Sequence, residues 1–400
     1  MAVERPTILC LASYRKGDAF LEECARAGAR VEFLTVEKLR DADWPRDSIS
    51  GFHWVPDMSD FGRVRAGASW LATKHPIARI VALDEFDLET AAALREHLRV
   101  PGPGVSAARV FRDKLAMREA ASAAGILVPE FTGVFNDAAV DAWLEEVPAP
   151  WLLKPRTEAS AVGIRKCMTA EEVRTHLHEL GDRRSHFLLE RYVPGEVWHA
   201  DAIVADGQPR FMEIHRYERP PFDIMHGGGL FCSRTVERDD PAAAVLRRRA
   251  ADTAHGLRLL DGAMHAEFIR DASGAFHFIE TAARVGGANI AEMVEAATGV
   301  NLWREWARLE VARARGIDYS PPVARAGYAG VLISLARQEW PDTTAYDAPE
   351  VVWRMHRLHH AGLIVAADGA GRVAALLDDY ARRFRDDFLA VLPAPEKATD

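Results

Sequence analysis

The sequence predicts a mixed α/β chain built from more than one unit, and three observations predict it. The first hundred residues alternate short apolar strands with helices, the stretch from His186 carries consecutive strands separated by turn residues, and the tail returns to strands before an amphipathic helix. A chain of 400 residues has room for roughly two to four structural units with sizeable cores.

The elements follow in order. Ile8–Ala12 reads as a short buried strand, and Asp18–Ala27 has helical spacing with Gly28 where a helix stops. Val31–Val36 and Arg79–Leu83 are further strands and Leu88–Leu98 a helix, a βαβ rhythm that implies a parallel sheet covered by helices. Pro101-Gly102-Pro103-Gly104 marks a boundary. Ala107–Ala124 reads as one long helix ended by Gly125, Asn136 caps a helix through Glu146, and Trp151–Lys154 is a strand. Thr169–Glu172 is a capping box opening a helix to Leu180. His186–Glu190, Trp198–Ala205 and Arg210–Ile214 are strands, and Asp240-Pro241 starts a helix through Leu259. Met264–Ile269 and Phe276–Glu280 form a hairpin around a four-residue loop at 271–274; Asn289 begins a helix, and Asn301 caps another that Gly316 ends. Strands near Ala329–Ser334, Val351–Trp353 and Leu363–Ala366 precede a helix at about Gly371–Phe388, and Pro395–Asp400 are expected to fray.

Composition excludes several function classes. Hydrophobic residues at 48% and charged residues at 27% are ordinary for a globular protein and too apolar for disorder. With 50 basic and 59 acidic residues the chain carries −9, which argues against nucleic acid or an anionic membrane as partner. Cys10, Cys24, Cys167 and Cys232 form no C-x-x-C pair and read as buried or inert thiols in a reducing compartment. No run approaches the ~18 apolar residues of a membrane span, and Ile8–Ala12 is too short for a signal sequence. The expectation is a soluble, cytoplasmic protein. No Gly-Lys pair exists, which excludes a Walker-type phosphate loop, and His226-Gly227-Gly228-Gly229 lacks the G-x-S-x-G nucleophile an esterase would need.

Chemistry concentrates in three places. In the hairpin, the four-residue loop sets Arg270 opposite Ala275 and Glu267 opposite Phe278, with Glu280 the diagonal neighbour on the same face. Two such carboxylates can share a hard cation such as Mg2+; an edge hairpin with its acids in water is the other reading. Lys114 opens a helix and Lys154 ends an apolar strand before Pro155, positions from which a point charge can meet a polyphosphate, although each by itself also reads as a surface lysine. The small-residue loop Thr157–Gly163 can bring backbone N–H groups onto phosphate oxygens. The third place is Leu188–Glu196 with Trp198–Asp201, an apolar strand running into a turn with acids at both ends. It suits a purine and a ribose, or is a plain strand and hairpin.

The order of these pieces resembles the ATP-grasp superfamily of ligases over roughly Pro76–Ala312. The residues that carry the likeness are Asp84-Glu85-Phe86, Pro101-Gly102, Arg112-Asp113-Lys114, Ala124–Pro129, Lys154-Pro155, Glu190–Glu196, Glu267 and Glu280-Thr281-Ala282-Ala283-Arg284. The last motif, followed by Gly286-Gly287, is most similar to the L-amino-acid ligase branch. The resemblance implies an N-terminal Rossmann-like domain over 1–105, a small ATP-grasp subdomain over 106–185, a nucleotide and metal subdomain over 186–318 and a C-terminal α/β segment over 319–400. It implies ATP and Mg2+ as cofactors and an ATP-dependent carboxylate–amine ligase that makes an amide or peptide bond through an acyl phosphate. Its partners would be small-molecule carboxylates and amines, and it allows a homodimer.

The same resemblance implies residue roles. Lys114 and Lys154 would bind the ATP phosphates, and Glu190, Arg191 and Val193 would meet adenine, the last two through backbone atoms. Glu196 with His199 would take the ribose, Glu267 and Glu280 would hold Mg2+, and Arg284 would stabilise the transferring phosphate or the tetrahedral intermediate. His215, Arg216 and His226 lie in a segment where an acceptor would bind, or in a solvated loop. Gly287 and Ala288 either border a substrate side-chain pocket at a helix start or let that helix pack closely. The chain departs from the family pattern at Ala282, where an asparagine is usual, and in a phosphate loop poor in glycine. A non-catalytic ATP-binding or regulatory protein on the same fold is the alternative function.

Overall fold

A computed structural model describes residues 5–159 and 161–391, with the side chains of Met225 and His226 excepted. Ser160, in the small-residue loop, and Pro395–Asp400 lie outside the described residues.

The first unit comprises β1 (Thr7–Ala12), α1 (Asp18–Arg26), β2 (Arg30–Val36), β3 (Gly51–Val55), α2 (Phe61–Ala72), β4 (Ile77–Ala82) and α3 (Leu88–Leu98). Its strands form a parallel sheet in the order β3-β2-β1-β4. The central strand β1 is buried along its whole length, as an apolar run covered on both faces must be.

The expected helix over 107–124 is two helices, α4 (Val105–Arg109) and α5 (Lys114–Ala123). The break has a local cause. Asp113 Oδ1 accepts from the N–H groups of Leu115 at 3.0 Å and Ala116 at 3.4 Å, so the carboxylate starts a new helix rather than riding inside an old one. Arg156 pairs with the same carboxylate. Lys114 thereby becomes the first residue of α5.

A second, antiparallel sheet of order β5-β8-β6-β7 is made by β5 (Phe131–Gly133), α6 (Asp137–Glu146), β6 (Trp151–Pro155), β7 (Arg165–Cys167), α7 (Ala170–Leu180) and β8 (Phe187–Arg191). The Asn136 and Thr169 caps form as their sequence implies, accepting from Ala139 N–H and Glu172 N–H. β8, beyond residue 185, pairs with β5 and β6 in this small sheet.

The large sheet takes β9 (Glu196–Ala205), β10 (Gln208–Tyr217), α8 (Pro221–Gly227), β11 (Phe231–Thr235), α9 (Pro241–Gly256), β12 (Gly262–Arg270), β13 (Phe276–Ala282), α10 (Ile290–Thr298), α11 (Leu302–Arg315), β14 (Tyr328–Leu335), β15 (Val351–Arg354), β16 (His360–Ala367) and α12 (Ala370–Asp387). Its eight strands run β13-β12-β9-β10-β11-β14-β16-β15, so the tail's three strands continue the sheet that holds the acidic hairpin. One face of β9 and β12 presents Trp198, Ala200, Ala202 and Met264 to a core shared with α9. On the opposite side Ile203, Ala205 and Ala263 pack with α10 and α11, and that core runs into β1 and α1 of the first unit. Arg79–Glu310 and Arg308–Glu23, each with Nε 2.6 Å from a carboxylate oxygen, tie the two units together.

Candidate active site

A cavity of about 430 Å³ opens where the three units meet, and Lys114, Lys154, Glu267, Glu280 and Arg284 all line it. Five residues from four separate elements and one loop converge there, which no local spacing dictates.

Lys154 is seated by a buried triad. Leu152 of β6 faces Glu190 of β8, so Lys154 and Glu190 are diagonal neighbours on one face and form an ion pair. Arg118, one helical turn after Lys114 on α5, brings Nε to 2.7 Å from the other Glu190 oxygen. Burial pushes the Glu190 carboxyl up, but the two cations outweigh it and hold it below the ordinary carboxylate value.

The acidic hairpin has a different register from the one expected. Arg270 pairs with Phe276 and Phe268 with Phe278; a bulge then sets Glu267 directly opposite Glu280. The loop closes one residue tighter than the sequence suggests, because Asp271 Oδ1 accepts from Ser273 and Ala275 N–H and the Asp271 N–H reaches the Ala275 carbonyl. Lys114 Nζ lies 2.9 Å from Glu280 Oε2 and donates to the Glu158 carbonyl at 2.6 Å, linking the metal-type pair to the small-residue loop. Burial works against the Glu280 charge, but Lys114 holds its carboxyl below the usual range. Two opposed carboxylates facing one cavity, with hard oxygen ligands, fit a small divalent cation.

Arg284 is held from the first unit. Its guanidinium pairs with Glu85, its Nη1 donates to the Val285 carbonyl at 2.7 Å, and Arg112 stands 3.7 Å from the other Glu85 oxygen. Burial would raise the Glu85 carboxyl, but Arg284, with Arg112 and Lys114 behind it, brings it down to about 2. Ala288 and Asn289, at the start of α10, both have left-handed backbone, with φ of 50° and 58°.

Beneath the hairpin lies a polar column. His199 and Asp201 of β9, His215 and Tyr217 of β10, and His265 and Glu267 of β12 alternate along their strands on one face. Asp201 receives His199 Nδ1 at 2.6 Å, His265 Nδ1 at 2.8 Å and His215 Nδ1 at 3.1 Å. Burial pushes the His199 imidazole down to about 4, leaving it neutral. Burial also opposes charge on His265, but Asp201 and Glu267 outweigh it and lift it to about 10.

The remaining expected residues distribute as follows. Val193, Gly287 and Ala288 line the cavity. Glu190 lines it with both oxygens already committed to cations. Arg191 pairs with Glu130 at 3.0 Å, and Glu196 pairs with Arg216 at 3.2 Å; Arg191, Glu196 and Arg216 do not line the cavity. His199, expected at a ribose, has no exposed surface and is enclosed between Asp201 and Ser233. Strand alternation turns it to the interior of the column. His215 is likewise buried on Asp201. His226 lies in α8, and its side chain is outside the described residues. The sequence reading gave no site role to Glu85, Arg112 and His265, and placed Tyr217 only within the candidate acceptor segment; all four line the cavity. The period-two polar alternation in three strands was the signal for the last two; nothing local marks Glu85 as the partner of a residue 199 positions away.

Residues 147–292 match the family model for the ATP-grasp domain. Among characterised proteins the chain is 27% identical over 288 residues to the L-arginine-specific L-amino acid ligase of Bacillus subtilis, covering 69% of each. It is 24% identical over 211 residues to a D-alanine--D-alanine ligase of Neisseria gonorrhoeae, covering 51% of this chain and 69% of that one. The crystal structure of L-amino acid ligase from Bacillus licheniformis superposes with a TM-score of 0.75 at 17% identity, over 97% of this chain and 99% of that one, a likeness of fold.

Proposed function

We propose that this chain, whose residues 147–292 form an ATP-grasp domain, is an ATP-dependent carboxylate–amine ligase that joins amino-acid-like molecules through an acyl phosphate. The observation that carries the reading is the convergence of Lys114, Lys154, Glu267, Glu280 and Arg284 on one cavity. The relatives support it, being amino-acid ligases by name.

The chemistry follows from the residues. A carboxylate is a poor electrophile, so its oxygen first attacks the γ-phosphorus of ATP and ADP departs. An amine then attacks the carbonyl carbon, phosphate leaves, and the amine nitrogen gives up its proton. Lys114 and Lys154 would hold the phosphates in line. Glu267 and Glu280 would bind Mg2+, which when present neutralises charge on the phosphate oxygens. Arg284, fixed by Glu85, would face the oxyanion that develops at the reacting carbon. The small-residue loop, tied to Lys114 through the Glu158 carbonyl, would cover the acyl phosphate and keep water from it. The four free, buried cysteines support a reducing, cytoplasmic setting, and among the described residues no helix is long and apolar enough to cross a membrane.

The test is ADP release screened over pairs of amino acids, with product identified by mass. Glu280→Gln should abolish turnover and leave the unfolding temperature within a few degrees of wild type. Amino-acid-dependent ADP release that persists in Glu280→Gln removes the assignment of that residue, and no ligation product with any pair removes the function.

A further inference from the structure

Apart from Glu267, the column under the acidic hairpin has no part in the proposal above, and it is costly to build. Asp201 is fully buried, and three imidazoles converge on its two oxygens. A buried carboxylate with that many partners exists only where its surroundings over-determine it. The three histidines differ in what they do next. His199 passes its other nitrogen to Ser233 Oγ at 2.7 Å, and His215 Nε2 ends without a partner among the described residues. His265 alone turns toward the cavity, its Nε2 3.3 Å from Glu267 Oε1.

Glu267 Oε1 has a second donor, the Tyr217 hydroxyl at 2.7 Å. Tyr217 is itself held by its ring stacked on His199, centroids 4.5 Å apart. The strand register makes the arrangement rigid, since Asp201 faces His265 and His199 faces Glu267 across the β9–β12 ladder. Gly286, on the loop carrying Arg284, presses on the same pair: a Cβ there would sit 3.0 Å from both Asp201 Oδ1 and His265 Nδ1. One oxygen of Glu267 is therefore tied down by two donors from two strands. The other has no hydrogen-bond partner among the described residues, and Glu267 lines the cavity with Glu280 opposite it in the ladder.

We propose that Asp201 acting through His265, together with Tyr217, positions the Glu267 carboxylate and so sets how tightly the hairpin holds its divalent cation. The inference rests on Glu267 being a cation ligand. Groups that orient a ligating carboxylate commonly change metal affinity 10–100-fold when removed. His265, Tyr217 and Asp201 are positioning residues here and need not touch a substrate.

The experiment measures Mn2+ binding by electron paramagnetic resonance, on the full chain saturated with a non-hydrolysable ATP analogue. Wild type is compared with Tyr217→Phe, His265→Gln and Glu267→Gln. The proposal expects the Mn2+ dissociation constant to rise about 3–10-fold for Tyr217→Phe and about 10–100-fold for His265→Gln. Affinity for the analogue at excess Mn2+ should stay within twofold of wild type in both. If Glu267→Gln weakens Mn2+ but the other two stay within twofold of wild type, the positioning role is wrong and the ligand assignment stands. If Glu267→Gln itself leaves Mn2+ binding unchanged, the ligand assignment falls and the inference with it. Tyr217→Phe removes one hydroxyl and keeps the stacked ring, so it decides the matter even if His265→Gln does not fold.

Discussion

The buried triad of Arg118, Glu190 and Lys154 separates what stability needs from what nucleotide binding needs. Glu190→Gln keeps the shape but leaves two buried cations facing a neutral amide, with only 0% and 6% of their side chains exposed. Removing one member of a buried ion pair costs about 3–5 kcal/mol. Lys154→Met removes a cation instead, and Glu190 still holds Arg118 at 2.7 Å. Its cost is one lost charged hydrogen bond, about 1.5–3 kcal/mol. At about 1.2 °C per kcal/mol for a chain of 400 residues, the melting temperature should fall by about 4–6 °C for Glu190→Gln and by about 2–4 °C for Lys154→Met. Nucleotide affinity should rank the other way for the lysine. Losing a charge-assisted contact to phosphate weakens ATP about 10–100-fold, read by isothermal titration. The reasoning is refuted if Glu190→Gln melts within 2 °C of wild type, or if Lys154→Met is the less stable of the two.

Two further predictions concern a titrating group and a pocket. Asp87 is buried with Ser13 N–H and Oγ at 2.6 and 2.5 Å, and burial lifts its carboxyl from 3.8 to about 6. Its stabilising share is therefore complete below pH 3.8 and is lost as pH rises through about 6, for a total of about 3 kcal/mol. Asp87→Asn imitates the neutral acid, so the stability difference between wild type and variant in urea should shift by about 2 kcal/mol in the variant's favour between pH 4.5 and 7.5; a constant difference contradicts the burial argument. Ala288 borders the cavity beside Gly287, so Ala288→Trp should lower kcat/KM more for bulky substrates than for small ones. Equal losses would leave Ala288 a packing role only.

Elements whose signals are local were legible in the sequence. The Asn136, Thr169 and Asn301 caps, the helix stop at Gly316, and the run Ile8–Ala12 that must be covered on both faces all act within a few residues of themselves. Lys114, Lys154, Glu267 and Glu280 could be singled out as charges at strand and helix ends and as paired carboxylates on one hairpin, and Arg284 only through the family resemblance; the structure brings all five to one cavity. Tertiary structure alone decided the rest. The three-residue strands β5 and β7 exist because β8 and β6 pair with them, and no periodicity can mark so short a segment. The opposition of Glu267 to Glu280 came from a loop tightened by the Asp271 side chain and, separately, from a bulge between Glu267 and Phe268. The inward turn of His199, the clamp of Arg284 by Glu85, and the Asp201 column join residues 14 to 199 positions apart. A contact at that separation is set by sheet order and register, which depend on how all the buried faces pack together and not on any neighbouring residue.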